Sequence, residues 1–180
     1  KLFCVRDRFG IKPLYYSISN NYFAFASEFN TLNTSNLVSF SPNREAYVSY
    51  LRHLAIPNGS TGNENIQKLQ PGEFIVVDFE GKITKELYWD PFDFTTEQDI
   101  TSSEAIDRLD ELLKSSVEYR KISDVEVGLY LSGGLDSTLI GSLLATDTKI
   151  KSFNVDYDEI FDGYKGEFKE AKYSADQINV

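Results

Sequence analysis

Methionine is absent from this 180-residue chain, and cysteine, histidine and tryptophan occur once each. A lone His53 and a lone Cys4 give no second ligand for a zinc site of the usual kind. Basic charge is also scarce: 18 Lys and Arg against 28 Asp and Glu leave a net charge of −10, which excludes the electrostatic footprint of a protein that tracks a nucleic-acid backbone or an anionic membrane. Small-molecule partners are expected instead. There is no signal-peptide pattern and no apolar run near the length of a membrane span, so a soluble, reducing, cytoplasmic setting is the default reading. The sequence opens on the apolar alternation "LFCV" and stops in "EFKEAKYSADQINV" with no helix-ending Gly or Pro, so a fragment open at both ends is expected.

What is present suffices for one compact domain or two small ones, since 41% of residues are hydrophobic and 14% aromatic. Residues 1 to 28 read as three short strands, "KLFCVR", "LYYSIS" and "YFAFASE", separated by the turns "DRFGIKP" and "NN" and expected to pair antiparallel. "SPNREAYVSYLRHLA" predicts a helix over about 42 to 55, with Ser41 as N-cap, Pro42 at the first helical position and Glu45 in the first turn. "GEFIVVDF" and "KITKELYW" around "EGK" read as a hairpin, with Trp89 and its aromatic neighbours packing on it. The acidic, aperiodic "DPFDFTTEQDI", 90 to 100, separates this half from a differently patterned one.

In the second half Thr101 and Glu104 form a capping-box pattern, and Ile106, Leu109, Leu113 and Val117 recur at helical spacing. A strand at about 125 to 131, a glycine loop, a helix at about 136 to 145, a strand at 149 to 155 and a helix from near Glu167 follow. Alternating strands and helices imply a parallel sheet with crossovers.

The glycine loop lies in "GLYLSGGLDSTLIGSLLA", 128 to 145. Gly133 and Gly134 permit positive φ and close approach of backbone to a ligand, and the N–H groups of Leu135, Asp136 and Ser137 open the next helix. Ser132 and Ser137 add hydroxyl donors. The lysine of the usual phosphate loop is missing, and Asp136 stands at the helix start. A carboxylate about 4 Å from a phosphate charge is repelled by about 4 kcal/mol at a surface-like dielectric. Mg²⁺ reverses that sign, because it takes few carboxylates together with phosphate oxygens and water. The pattern therefore predicts a Mg²⁺-bridged phosphate site with Asp136 as a metal ligand.

"LSGGLDS" at 131 to 137 resembles the SGGxDS pyrophosphate loop of the N-type ATP pyrophosphatases. "RDRFGIKPLYY" at 6 to 16, "FASE" at 25 to 28, "IQKLQPGEF" at 66 to 74 and "YWD" at 88 to 90 precede it in order, and together they resemble the glutamine-hydrolysing asparagine synthetase family. The resemblance implies an α+β part followed by an α/β part: antiparallel strands of an N-terminal-nucleophile amidotransferase sandwich over 1–92, its C-terminal part, and the start of a parallel-sheet ATP pyrophosphatase domain over 93–180. It implies ATP-dependent amidation of aspartate through β-aspartyl-AMP, with glutamine as ammonia donor and AMP and pyrophosphate released. Leu131, Ser132, Gly133, Gly134, Asp136, Ser137 and Val155 would bind ATP or pyrophosphate, with Mg²⁺ held at Asp136 through pyrophosphate; for Val155 a plain buried strand valine is the competing reading. Cys4 lies inside an apolar alternation and reads as a core thiol, not as the family's N-terminal nucleophile. The nucleophile and the later SGxGxDE-type adenylation motif are expected outside this chain, so no catalytic residue is assigned and the isolated chain is expected to be inactive. "RDRFGIKPLYY" reads as structural, with Gly10 and Pro13 shaping a turn, and His53, near a helix end, as interacting with the C-terminal dipole and not as catalytic. A β-lactam-synthetase-like ligase, an amidotransferase for a surface-sugar or secondary-metabolite substrate, and a non-catalytic nucleotide-binding protein stay as alternatives; a homodimer stays open.

Overall fold

The computed structural model describes residues 1–57, 59–94, 99–146, 150–156 and 166–180. The chain forms two compact units, Lys1–Glu97 and Gln98–Val180. Residues 95–98 of the expected boundary segment, and Lys149 at the expected start of a strand, lie outside the described residues. No helix among the described residues is long and apolar enough to cross a membrane.

The first unit holds two antiparallel sheets. Leu2–Val5 (β1) pairs with Glu73–Val77 (β5), Cys4 opposite Ile75, and β5 pairs in turn with Ile83–Leu87 (β6). The β5–β6 hairpin was expected, and its turn is held by Asp78, whose carboxylate accepts from Glu80 N at 2.9 Å and Lys82 N at 2.9 Å. The second sheet joins Tyr15–Ile18 (β2) to Phe23–Ala26 (β3) on one side and to Gln67–Lys68 (β4) on the other. Thus β2 and β3 form the expected pair, but the partner of β1 is β5 and not β2. Cys4 and Ile75 of the first sheet, Tyr16 of the second and Leu69 make one buried cluster, so the alternating apolar faces of the two sheets share a core. The core reading of Cys4 holds, and burial pushes its thiol pKa up.

Two helices flank these strands. Phe29–Asn33 (α1) is five residues long, too short to show a helical period, and Leu32 is its buried anchor beside Val38 and Ile66. Arg44–His53 (α2) begins two residues later than the expected start. Its N-cap is Asn43, whose side chain accepts from Ala46 N at 3.1 Å. Ser41 is drawn elsewhere: the fully buried Asn63 accepts its N–H at 3.1 Å, its hydroxyl donates to Glu64 at 2.7 Å, and Pro42 forms a β-bridge with Asn63. Those partners hold 41–42 extended and leave the cap to Asn43.

In the second unit Ser102–Lys121 (α3) starts on the expected capping box, with Glu104 N donating to Thr101 Oγ1 at 3.3 Å and Thr101 N to Glu104 Oε2 at 2.8 Å. Of its apolar stripe Val117 is buried, whereas Ile106 and Leu109 are exposed. Gly128–Tyr130 (β7), Leu135–Leu144 (α4) and Lys151–Phe153 (β8) form a strand–helix–strand unit with β7 and β8 parallel, and Phe168–Ile178 (α5) follows. Val117, Leu129, Leu131, Leu144 and Ile150 form the core of this unit. The architecture is therefore mixed α/β, antiparallel sheets in one unit and a parallel pair in the other.

Candidate functional site

The parallel pair delivers the glycine loop to the carboxyl edge of the sheet, where open α/β folds place ligands. Leu131 is buried, and its N–H still donates to Phe153 O at 2.8 Å, one residue beyond β7. Gly133 takes φ +79°, and a Cβ there would lie 2.4 Å from the carbonyl carbon of Glu170 and 2.6 Å from Ala171 N. Both the left-handed backbone and the close approach of α5 require glycine. Gly134 differs from the expectation: φ −72° and ψ 163° are extended backbone open to any residue, and it serves as the N-cap of α4 without a side-chain bond. Close approach at Gly133 is thus to the backbone of α5.

The first helical bond of α4 runs from Thr138 N to Gly134 O at 3.1 Å, which leaves the N–H groups of Leu135, Asp136 and Ser137 at the open end of the helix. Asp136 is exposed in that first turn. The two serines meet across the loop. Their Oγ atoms are 3.0 Å apart, Ser132 N donates to Ser137 Oγ at 3.4 Å, Gly134 N donates to Ser132 Oγ at 3.3 Å, and Ser137 Oγ also reaches Gly134 O at 3.2 Å. The hydroxyls therefore act here as acceptors for the loop's own N–H groups, at distances on the long side for hydrogen bonds.

Of the sequence-predicted residues, Leu131, Ser132, Gly133, Gly134, Asp136 and Ser137 come together in this loop, and Val155 lies two residues past β8 on the same edge. Val155 is 67% exposed, which overturns the buried-valine alternative: the strand stops at Phe153 and the side chain leaves the core. Two neighbours were not anticipated. Thr138 Oγ1 and Asn154 Oδ1 are buried and have no hydrogen-bond partner among the described residues. Asn154 also lines a cleft of about 280 Å³ with Leu131, Phe153, Phe168 and Lys172. The only trace of Asn154 in the sequence is a polar residue directly after an apolar strand.

The chain's own carboxylates do not build a metal cage: no group of three or more His, Cys, Asp or Glu suited to a metal exists among the described residues. One exposed carboxylate beside an open helix N-terminus fits a Mg²⁺ that takes its remaining ligands from phosphate and water.

In the first unit, "RDRFGIKP" folds as the structural turn it was read to be. Arg6 is buried and donates to Leu69 O at 2.6 Å, Gly10 O at 2.7 Å and Lys12 O at 3.0 Å. Asp7 accepts from Ile11 N at 3.0 Å, Lys12 N at 3.0 Å and Phe9 N at 3.2 Å, and the Lys12 and Ile11 N–H groups hold its carboxyl below the usual range. Trp89 packs edge-on against Phe9, centroids 5.1 Å apart, and stacks on Phe94 at 6.0 Å, so it ties the end of β6 to this turn. His53 is the last residue of α2, beside Arg52, at the helix end where the sequence placed it.

Residues 1–89 match a glutamine amidotransferase domain, and residues 108–180 match asparagine synthase. The chain is 30% identical to a putative glutamine-hydrolysing asparagine synthetase 2 of Methanocaldococcus jannaschii over 96% of its length and 33% of the relative's. It is 33% identical to glutamine-hydrolysing asparagine synthetase 1 of Bacillus subtilis, covering 88% of this chain and 25% of that protein. A protein named amidase chry2 of Gibberella zeae is 30% identical over 81% of this chain and 21% of its own. The chain belongs to the glutamine-hydrolysing asparagine synthetase family. It spans between about a fifth and a third of the length of these relatives.

Proposed function

We propose that this chain is part of a glutamine-dependent asparagine synthetase, and that its loop at 131–137 holds the pyrophosphate of ATP while aspartate is adenylated. Residues 1–92 are then the later part of the glutaminase, with the antiparallel sheets of an N-terminal-nucleophile sandwich, and 93–180 the start of the ATP pyrophosphatase domain. The observation that carries the reading is the junction itself: a parallel strand, a glycine in the left-handed region and a helix whose N-terminus has no side-chain cap. Such a junction gathers N–H donors around an anion.

Each residue has a distinct task. The N–H groups of Leu135, Asp136 and Ser137 point their partial charges toward phosphate oxygens. Ser132 and Ser137 exchange their mutual contact for the anion, which replaces one neutral bond with charge-assisted ones worth roughly 1.5–3 kcal/mol each. Asp136 holds Mg²⁺, which, when bound, neutralises the phosphate charge and so eases departure of pyrophosphate. Leu131 and Val155 flank the nucleotide. The glutaminase nucleophile and the groups that complete the adenylate belong to the rest of the protein, so the chain by itself is inactive.

The test is pyrophosphate release by the full-length protein with ATP, Mg²⁺ and glutamine, with and without aspartate. Aspartate-dependent release with matching asparagine supports the proposal. Release with a different carboxylate acceptor, and none with aspartate, selects the second reading, an amide ligase of the same plan acting on a secondary-metabolite, β-lactam-type or surface-sugar substrate. The likeness to a protein named an amidase favours keeping that reading. No release with any acceptor, despite bound Mg·ATP, leaves a non-catalytic nucleotide-binding protein.

A further inference from the structure

Asn154 follows β8 directly, and the two ends of its amide are treated unequally. Nδ2 donates to Leu131 O at 2.9 Å, whereas Oδ1 is buried without a partner among the described residues. In a parallel ladder the bond that follows Leu131 N–H to Phe153 O would bring Val155 N–H to Leu131 O. The side chain of Asn154 takes that acceptor instead. Burying an unpaired acceptor is costly, and a valine or serine would end the strand without that penalty. The Nδ2 bond is therefore the part of the amide that matters. The reverse orientation of the amide would set oxygen against oxygen.

The acceptor held by Asn154 belongs to the peptide that opens the loop. Leu131 C=O and Ser132 N–H lie in one rigid plane and point in opposite directions. With the carbonyl fixed on Asn154, the N–H is fixed on the inside of the loop, where Ser137 Oγ lies at 3.4 Å. Turned over, the same plane would present a carbonyl oxygen to an incoming anion. We propose that Asn154 is a positioning residue that latches the 131–132 peptide plane so that Ser132 N–H serves as the first donor to pyrophosphate. The inference rests on the reading of this loop as the pyrophosphate site.

Asn154→Asp keeps the shape and replaces the Nδ2 donor with an oxygen that repels Leu131 O. In the full-length protein it should raise the inhibition constant of inorganic pyrophosphate and the KM for ATP by about tenfold, the worth of one charge-assisted hydrogen bond. The KM for the acceptor carboxylate should stay as it is. Asn154→Ala should act in the same direction and less strongly, and it decides the matter if the Asp variant does not fold. A lowered melting temperature with pyrophosphate inhibition unchanged in the folded variant would make the bond a strand ending only and overturn the inference. If the unsubstituted protein is not inhibited by pyrophosphate and does not turn over ATP, the loop reading itself fails, and the latch with it.

Discussion

Two glycine-bearing loops, each leaving a strand end, show how the molecule separates structure from chemistry. At Arg6–Lys12 the two anchoring groups are spent on the protein: the Arg6 guanidinium takes three backbone carbonyls and the Asp7 carboxylate takes three backbone N–H groups. At Ser132–Ser137 the helix N-terminus has no side-chain cap, the serines use each other at long distances, and two buried oxygens beside the loop lack partners among the described residues. The anchoring pair of the first loop, Arg6 and Asp7, is committed to its own backbone, while the Arg8 and Lys12 side chains face solvent. The second is held in shape by Gly133 and the sheet, yet its polar groups gain by meeting an anion. The presence of glycine and charge does not separate the two; the partners do.

Exchanging the consequences of substitution between these loops is the strongest way to break the comparison. Asp136→Ala should cost on the order of 10²-fold in Mg·ATP-dependent pyrophosphate release, the scale of losing one electrostatic contact at the reacting group, while thermal unfolding stays unchanged. Turnover at the original rate would remove the metal role from Asp136. Arg6→Met should do the opposite. It leaves the carbonyls of Leu69, Gly10 and Lys12 without their donor, at about 3 kcal/mol in urea unfolding of the first unit. Arg6→Lys should not rescue, because one ammonium lacks the planar fork that spans three carbonyls. A stable Arg6→Met protein would show that this turn does not hold the fold.

What could be read from the sequence followed how local the determining contacts are. The α3 start was legible because both halves of its capping box, Thr101 and Glu104, lie within four residues. The loop was legible for the same reason, since strand, glycines, serines and Asp136 are contiguous. Ser41 misled because Asn63, 22 residues away, captures its N–H. The partner of β1 was hidden in β5, some seventy residues later, and no turn signal reaches that far. Asn154 was invisible for a subtler reason: its neighbours in sequence are strand residues, and only the parallel register with β7 brings it to Leu131. Val155 was placed on the right edge, but its exposure depends on where β8 stops, which a run such as "KIKSFNV" does not mark.

The smallest effect concerns acid, and it sharpens the first loop alone. The Asp7 carboxyl is held below its ordinary range, first by the Lys12 N–H and then by that of Ile11. A group with a depressed folded pKa contributes stability that is fully present above its unfolded pKa, near pH 4 or about that, and loses it as pH falls through the lower folded value. Between pH 5 and 8, then, Asp7 should leave the urea midpoint flat. Asp7→Asn keeps the size of the side chain but replaces one acceptor oxygen with a donor that faces Lys12 or Ile11 N–H. The variant should unfold at lower urea than the original at pH 7, and the gap should narrow at about pH 3 as the original begins to bind the proton. Asp7 is only half-buried and solvent screens its charge, so the gap at neutral pH is a fraction of the Arg6 effect. A gap of the same size at both pH values would mean that the turn is stabilised by the shape of residue 7 and not by its charge, and Arg6 would then be the only charged group of the turn whose charge holds the fold.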